Sequence, residues 1–131
     1  MFQVINKNIY VNHGDAMTLT IVNNTDAFEA GDHLKFSVCE KGNYNNVVFQ
    51  HTFEIPGESG DTAVQVDLEF QDTIMENLWN AIENPSSNEK IYYYEIELIE
   101  HNATLIGQDR NGAKLFTVYP EAQSNSQEEV E

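Results

Sequence analysis

The fold of this chain is decided by the stretch Ile91-Tyr92-Tyr93-Tyr94-Glu95-Ile96-Glu97-Leu98-Ile99. Aromatic and β-branched residues dominate it, which favours a strand over a helix. Strand side chains point alternately to opposite faces, so every second residue shares a face. One face is entirely apolar and is predicted to pack on a core: Tyr92, Tyr94, Ile96 and Leu98. The other face is mixed: Ile91, Tyr93, Glu95, Glu97 and Ile99.

The same alternation of apolar and polar residues recurs along the chain and predicts seven further strands. They lie at 2–11, 17–22, 34–39, 47–55, 64–70, 103–106 and 113–119. The first is expected to be bent or split at Asn6-Lys7-Asn8, and Asp109-Arg110-Asn111-Gly112 has the composition of a hairpin turn. About eight strands joined by Gly and Asn turns predict an all-β fold, an antiparallel β-sandwich.

One short helix is expected after the strand at 64–70. Thr73 and Glu76 match a capping box, and Ile74, Leu78 and Ile82 recur on one helical face. Pro85 disfavours the helical conformation in the residue before it, so the helix should end there.

The chain has 131 residues, which is enough for one domain with a core that needs no metal or disulfide. We expect residues 1–120 to form the β-sandwich domain and residues 121–131 to form an acidic, flexible tail. Cys39 is the single cysteine, so an internal disulfide is impossible, and its position predicts an outward-facing side chain. No signal peptide or membrane span is expected, because no apolar run is long enough.

The charge balance is strongly acidic, with 22 acidic against 6 basic residues and a formal net charge of −16. Direct binding to nucleic acid or to an anionic membrane is therefore not expected, because both would repel this chain. Two interpretations of the charge stay open. It keeps the protein soluble at high copy number, or it imitates nucleic acid and occupies a basic groove on another protein.

Metal and cofactor sites are not predicted. None of the four histidines is paired with another at the spacing of metal ligands on one element. His51 is expected to be partly buried beside Phe49 and Phe53. The loop carboxylates Asp26, Glu29 and Asp32 do not have the spacing of a calcium loop.

Catalytic residues are not predicted either, and we expect the chain not to be an enzyme. The sequence has no phosphate-binding glycine loop and no nucleophile elbow, and Cys39 has no evident base beside it. Glu95 and Glu97 form a pair of carboxylates, but on an outward strand face they serve solubility better than acid–base chemistry.

Two features of the sequence suggest contact with another protein. Ile91, Tyr93 and Ile99 place apolar surface opposite the predicted core, where protein interfaces commonly use tyrosine. Cover by the helix or by a terminal segment is the alternative, and the same ambiguity applies to Trp79 on the helix.

Several segments together resemble small phage and prophage proteins. They are Phe2–Asn6, His13-Gly14-Asp15, Tyr92–Leu98, Gly107-Gln108-Asp109, Gly112–Phe116 and Tyr119-Pro120-Glu121. Such proteins are similar to the N-terminal domain of phage baseplate upper proteins. The resemblance implies an immunoglobulin-like β-sandwich that attaches receptor-binding machinery to the phage tail, without catalytic residues. The chain ends soon after the sandwich, so a compact module without a long arm is expected.

The function expected on these grounds is a non-enzymatic structural or attachment module of the virion, made in the bacterial cytoplasm. Its partners would be other phage structural proteins, and copies of itself are possible partners. The competing hypothesis is an acidic inhibitor that binds a basic host defence nuclease as a nucleic-acid mimic. Attachment would use Ile91, Tyr93, Ile99 and Trp79, and mimicry would use Asp67, Glu69, Glu95 and Glu97.

Overall fold

The computed structural model describes residues 1–23, 28–57 and 62–121, and over these ranges the chain is mainly β with one α-helix. The strands are β1 (Phe2–Ile5), β2 (Asn8–Asn12), β3 (Thr18–Val22), β4 (Phe28–Glu29), β5 (His33–Glu40), β6 (Asn43–Glu54), β7 (Thr62–Ala63), β8 (Gln65–Glu69), β9 (Lys90–Leu98), β10 (Ala103–Ile106) and β11 (Leu115–Tyr119). Helix α1 spans Asp72–Ala81, and a 3-10 turn spans Ile99–His101. No helix of the described ranges is long and apolar enough to cross a membrane.

The strand predicted to organise the fold lies in the middle of the larger sheet. This seven-stranded sheet has the order β1-β2-β11-β9-β5-β6, with β10 also paired to β9. Strands β3 and β8 form a separate antiparallel pair, and β4 and β7 form another. The alternation predicted for β9 is confirmed, because Tyr92, Tyr94, Ile96 and Leu98 are all buried.

One apolar core joins the larger sheet to the β3–β8 pair and to α1. Phe36 of β5 lies within it, and its ring contacts Phe49, Phe70, Tyr94 and Phe116 at centroid distances between 5.1 and 6.2 Å. Full burial of a large apolar side chain stabilises the folded state by roughly 1.5–3 kcal/mol. The core is therefore aromatic at its centre and continuous across both layers.

The larger sheet is not purely antiparallel, which corrects the prediction. Strand β11 pairs with β2 in parallel, with Phe116 opposite Ile9 and Val118 opposite Val11. All four side chains are buried. Apolar alternation looks the same in either direction of pairing, so the sequence pattern carried no information on this point.

The count of about eight strands was also too low, because the described residues form eleven. The short pair β4 and β7 was not predicted. The break expected at Asn6-Lys7-Asn8 is present: the first predicted strand is split into β1 and β2, which form a hairpin through Asn6 and Lys7 at φ 51° and 68°. Positive φ at both central residues is the requirement of a type I′ turn.

The turn predicted at 109–112 forms, but the strands on either side of it do not pair with each other. Asp109 and Gly112 exchange two backbone hydrogen bonds, of 3.2 and 2.9 Å. Strands β10 and β11 instead lie one after the other along the same edge of β9. Residues 107–114 are thus a loop that leaves the sheet and returns to it.

Helix α1 begins at Asp72, two residues earlier than a capping box with Thr73 as its N-cap requires. Its N-cap is Gln71, which makes no side-chain capping hydrogen bond, so the predicted box is wrong. The apolar side of the helix packs as predicted, with Leu78 and Ile82 in the core.

Candidate protein-interaction surface

The candidate surface lies on the outer face of the larger sheet, the face turned away from the core. Ile91, Tyr93, Glu95 and Glu97 lie on this face and are half-buried. Tyr93 sits between Leu115 of β11 and Cys39 of β5 in the strand register, and Val47 of β6 follows Cys39 in the same row.

Tyr93 and Tyr44 form the centre of an aromatic patch. Their ring centroids are 5.2 Å apart, a distance at which aromatic pairs attract. Ile91 and Leu115 are half-buried beside Tyr93, and Val47 is 43% exposed. We use the name aromatic patch for Tyr44, Val47, Ile91, Tyr93 and Leu115.

The hydroxyl of Tyr44 is buried and has no hydrogen-bond partner among the described residues. Burial raises the pKa of this hydroxyl, and the negative charge of Glu95 raises it further. Sequence reasoning missed Tyr44 because the predicted strand starts at residue 47, whereas β6 begins at Asn43.

Cys39 lies on the outer face of the larger sheet as predicted, and its side chain is only 1% exposed. Burial raises the pKa of its thiol, with Glu95 adding to the effect. A nucleophilic role would need the opposite shift, a lowered thiol pKa that favours the thiolate.

The end of α1 borders the aromatic patch at Ile91. Ala81 and Glu83 line a depression of about 340 Å³ together with Lys90, Ile91 and Tyr92. Ile91 and Tyr93 are only partly covered, so part of the aromatic patch is in contact with solvent.

Two of the predicted contact residues lie elsewhere. Trp79 donates its indole N–H to the carbonyl of Asp15 at 3.1 Å and packs on the ring of His13 at 4.8 Å. Its side chain is therefore engaged within the chain. Ile99 is 40% exposed, but β9 ends at Leu98 and Ile99 begins the 3-10 turn, outside the aromatic patch.

The four acidic residues assigned to nucleic-acid mimicry do not come together. Glu95 and Glu97 lie on the outer face of the larger sheet, where Glu97 pairs with Lys35 at 3.3 Å. Asp67 and Glu69 point outward from β8, whose inward residues face the core from the other layer. The two pairs therefore point away from each other across the core.

Two histidine–carboxylate pairs were not foreseen. His33 Nδ1 lies 2.5 Å from Glu100 Oε2, and His101 Nε2 lies 2.9 Å from Asp32 Oδ2. The sequence signal was two acid–histidine dipeptides, but their meeting depends on the pairing of Leu34 with Leu98 in the sheet. The described residues contain no group of three or more side chains that could hold a metal ion.

These pairs lie at the surface. Glu100 raises the pKa of His33 through their hydrogen bond, and the same bond lowers the pKa of Glu100. They join the start of β5 to the turn after β9. Of the loop carboxylates considered for a calcium site, Asp32 contacts His101, Glu29 is exposed on β4, and Asp26 lies outside the described residues.

A polar depression of about 460 Å³ lies between the Asn6–Lys7 turn and the 107–114 loop. The buried ammonium group of Lys114 is bound there by Asp109 at 3.0 Å and by the carbonyl of Gly112 at 3.1 Å. The other lining residues are Asn6, Lys7, Asn8, Asn111 and Ala113. This set offers amide hydrogen bonds and no pair of nucleophile and base.

Comparison of the chain with protein-family models, with curated proteins and with solved structures gives no match.

Proposed function

We propose that this chain is a non-enzymatic attachment module that docks on other proteins through the aromatic patch of its larger sheet. The phage resemblance of its sequence suggests the setting, a tail or baseplate of a virion. The partners would be structural proteins of the particle, with further copies of the chain as a second class.

The single observation that carries the proposal is the row Leu115, Tyr93 and Val47 with Tyr44 packed on Tyr93. It presents tyrosine and aliphatic side chains outward from the middle of a sheet. Tyrosine contributes strongly to protein interfaces because it combines a large apolar ring with a polar end. A sheet also holds such residues rigidly, which lowers the entropy lost on binding.

The finer fold description, an immunoglobulin-like sandwich, belongs to the same proposal. In variable-type immunoglobulin domains one sheet contains strands G, F, C and C′. The consecutive neighbours β11, β9, β5 and β6 would correspond to these strands, and β3 and β8 to strands of the second sheet. Strand β2, which pairs in parallel with β11, would then be an added N-terminal strand beside strand G.

The proposal is tested with particles purified from the strain that encodes the chain. We expect the chain in these particles, and we expect Tyr93→Lys to lower its incorporation at least about tenfold, because it places a charge in a desolvated contact. Gln3→Lys is the matched control, since Gln3 lies opposite Tyr10 on the edge strand β1 of the same sheet and is exposed.

Circular dichroism of both variants establishes that they fold. Normal incorporation of the Tyr93→Lys protein would contradict the proposed surface. Absence of the unmodified chain from particles, together with salt-sensitive capture of a basic nuclease, would favour the inhibitor hypothesis. The geometry gives that hypothesis no added support, because Asp67 and Glu69 lie apart from Glu95 and Glu97.

A further inference from the structure

Strand β3 has one edge that is not paired within the described residues. Among the strands of the described ranges, its only partner is β8. The hydrogen bonds from Phe70 to Met17 and from Asn23 to Val64 establish which residues bond to β8. In an antiparallel pair these positions alternate, so Leu19 and Ile21 also bond to β8.

The backbone groups of Thr18, Thr20 and Val22 therefore point to the open edge. All three residues are exposed, and no hydrogen bond of their backbone to another described residue is present. A row of unpaired N–H and C=O groups is a template for an added strand.

An apolar groove of about 460 Å³ runs along this open edge. One wall is β3 itself, from Thr18 to Val22. The remaining lining residues are Val4, Lys7, Tyr94, Leu105 and Ile106. Leu105 and Ile106 are half-buried, and Val4 is 46% exposed.

The sequence of β3 lacks the residue types that usually protect an edge strand. Its sequence, Thr18-Leu19-Thr20-Ile21-Val22, contains no charge, no proline and no glycine. Edge strands are commonly protected by lysine, proline or a bulge, and β3 pairs with β8 without any register shift. An unprotected edge beside an apolar groove is the arrangement that binds an extended peptide as an additional strand.

The charges around the groove define the chemistry of the peptide. Thr20 donates a hydrogen bond to Asp67 at 2.7 Å, and Asp67 and Glu69 are exposed on the solvent side of the neighbouring strand. The chain as a whole carries a net charge of −16, which repels acidic segments and second copies alike. Among the described residues that line the groove, Lys7 is the only charged one.

We propose that the open edge of β3 binds an extended segment of another protein as an added strand of the β3–β8 sheet. Alternate residues of this segment are apolar and enter the groove beside Leu105 and Ile106. The residues between them are basic or neutral and face solvent next to Thr18, Thr20 and Val22. This site is separate from the aromatic patch, so its test is independent of the proposed attachment surface.

The direct experiment is amide hydrogen exchange on the full chain with the capped peptide Lys-Leu-Thr-Val-Lys-Leu-Thr as the probe. In the free protein, the amides of Leu19 and Ile21 should exchange slowly and those of Thr18, Thr20 and Val22 rapidly. The peptide should slow the second group at least about tenfold, since only these amides gain new bonds. A peptide with the same composition but consecutive apolar residues, and one with Glu in place of Lys, should bind more weakly.

Thr20→Pro and Thr20→Val form the matched pair of variants. Both remove the hydroxyl group, but only proline removes the N–H that points to the open edge. Proline is accepted on edge strands at such positions, so the variant should fold. We expect Thr20→Pro to weaken peptide binding at least about tenfold, and Thr20→Val to bind like the original chain.

Several outcomes would overturn the proposal. These are unchanged exchange at Thr18, Thr20 and Val22, equal binding of both Thr20 variants, or equal binding of the acidic peptide. Protection of these amides that rises with protein concentration without peptide would identify a second copy as the occupant. Protection that is present in the free chain and lost when residues 122–131 are removed would identify the chain's own tail.

Discussion

At the scale of single residues, the hydroxyls of Tyr94 and Tyr44 differ in what they bind. Tyr94 donates to the carbonyl of Lys7 at 2.5 Å, whereas the buried hydroxyl of Tyr44 has no partner among the described residues. Burial raises the pKa of Tyr94 well above its usual range. The hydroxyl of Tyr94 therefore links β9 to the β1–β2 turn, whereas that of Tyr44 is desolvated without a hydrogen bond to any described residue.

Tyr94→Phe should lower the free energy of unfolding by about 1 kcal/mol, the usual contribution of one hydrogen bond. Tyr44→Phe should leave it unchanged or raise it, because it removes an unpaired polar atom from a buried position. Urea denaturation of both variants measures the difference. An equal loss in the two proteins would contradict the assignment of these hydroxyls.

At the scale of elements, the His33–Glu100 pair connects the start of β5 to the turn after β9. The pKa of His33 is raised above 6.5, so its contribution is full below that value and is lost as the pH rises through the folded pKa. The pKa of Glu100 is lowered below 4.5, so its contribution is lost as the pH falls through the folded pKa. The pair should therefore stabilise the protein most between these two limits.

Glu100→Gln should accordingly lower the urea midpoint more at pH 5.5 than at pH 8.5 or at pH 3. The exposed Glu76→Gln on α1 is the control, and its effect should not follow this pH profile. A pH-independent effect of Glu100→Gln would show that the charge of His33 contributes nothing. The effect should also shrink in high salt, since the pair is exposed.

The loop from 107 to 114 depends on Gly107, which has no room for a larger residue. A Cβ atom there would lie 2.8 Å from Cγ2 of Thr104 and 3.4 Å from Cβ of Glu95. Gly107→Ala should therefore cost about 1 kcal/mol or more from overpacking. Thr104→Ser removes the clashing methyl group and should restore most of that loss in the double variant, as thermal unfolding would measure. If the stability changes of the two single variants simply added in the double variant, the contact with the Thr104 methyl group would not be the cause of the loss.

At the scale of the whole molecule, Phe36 joins the two layers of the core. It is fully buried, and its ring meets aromatic rings on other elements, at 5.1 Å in the case of Phe70. Phe36→Ala should lower the free energy of unfolding by roughly 3–5 kcal/mol, a large part of the stability of a small domain. The half-buried Phe53, which also contacts Phe70, is the comparison, and Phe53→Ala should cost clearly less. Denaturant midpoints of the two variants measure this difference. Equal losses of stability in Phe36→Ala and Phe53→Ala would contradict the central role of Phe36.

Much of the secondary structure could be predicted from the sequence because alternation is a local property. The two faces of β9, the buried side of α1 and the turn at 109–112 all follow from residues close together in the chain. The boundaries were less certain, as the helix start at Asp72 and the strand start at Asn43 illustrate. At the ends of helices and strands, the local sequence is compatible with more than one boundary residue.

The candidate site was only partly predictable. Ile91 and Tyr93 followed from strand alternation, but Tyr44 did not, because its contact with Tyr93 is made across β5. Trp79 and Ile99 were predicted to be contact residues from the pattern of their own segments alone. The actual position of Trp79 depends on its contacts with His13 and Asp15. That of Ile99 depends on where β9 ends, at Leu98.

By itself, the sequence determined that this chain is mainly β, which residues of its strands face the core, and that it carries a large negative charge. Only the tertiary structure decided that β11 runs parallel to β2 and that Asp32 and His33 meet His101 and Glu100. It also decided that, within the described residues, one edge of β3 is unpaired. The physical reason is the distance along the chain over which each feature is determined. Side-chain alternation is set within a strand, whereas the partner of a strand edge is chosen by segments far away in the chain.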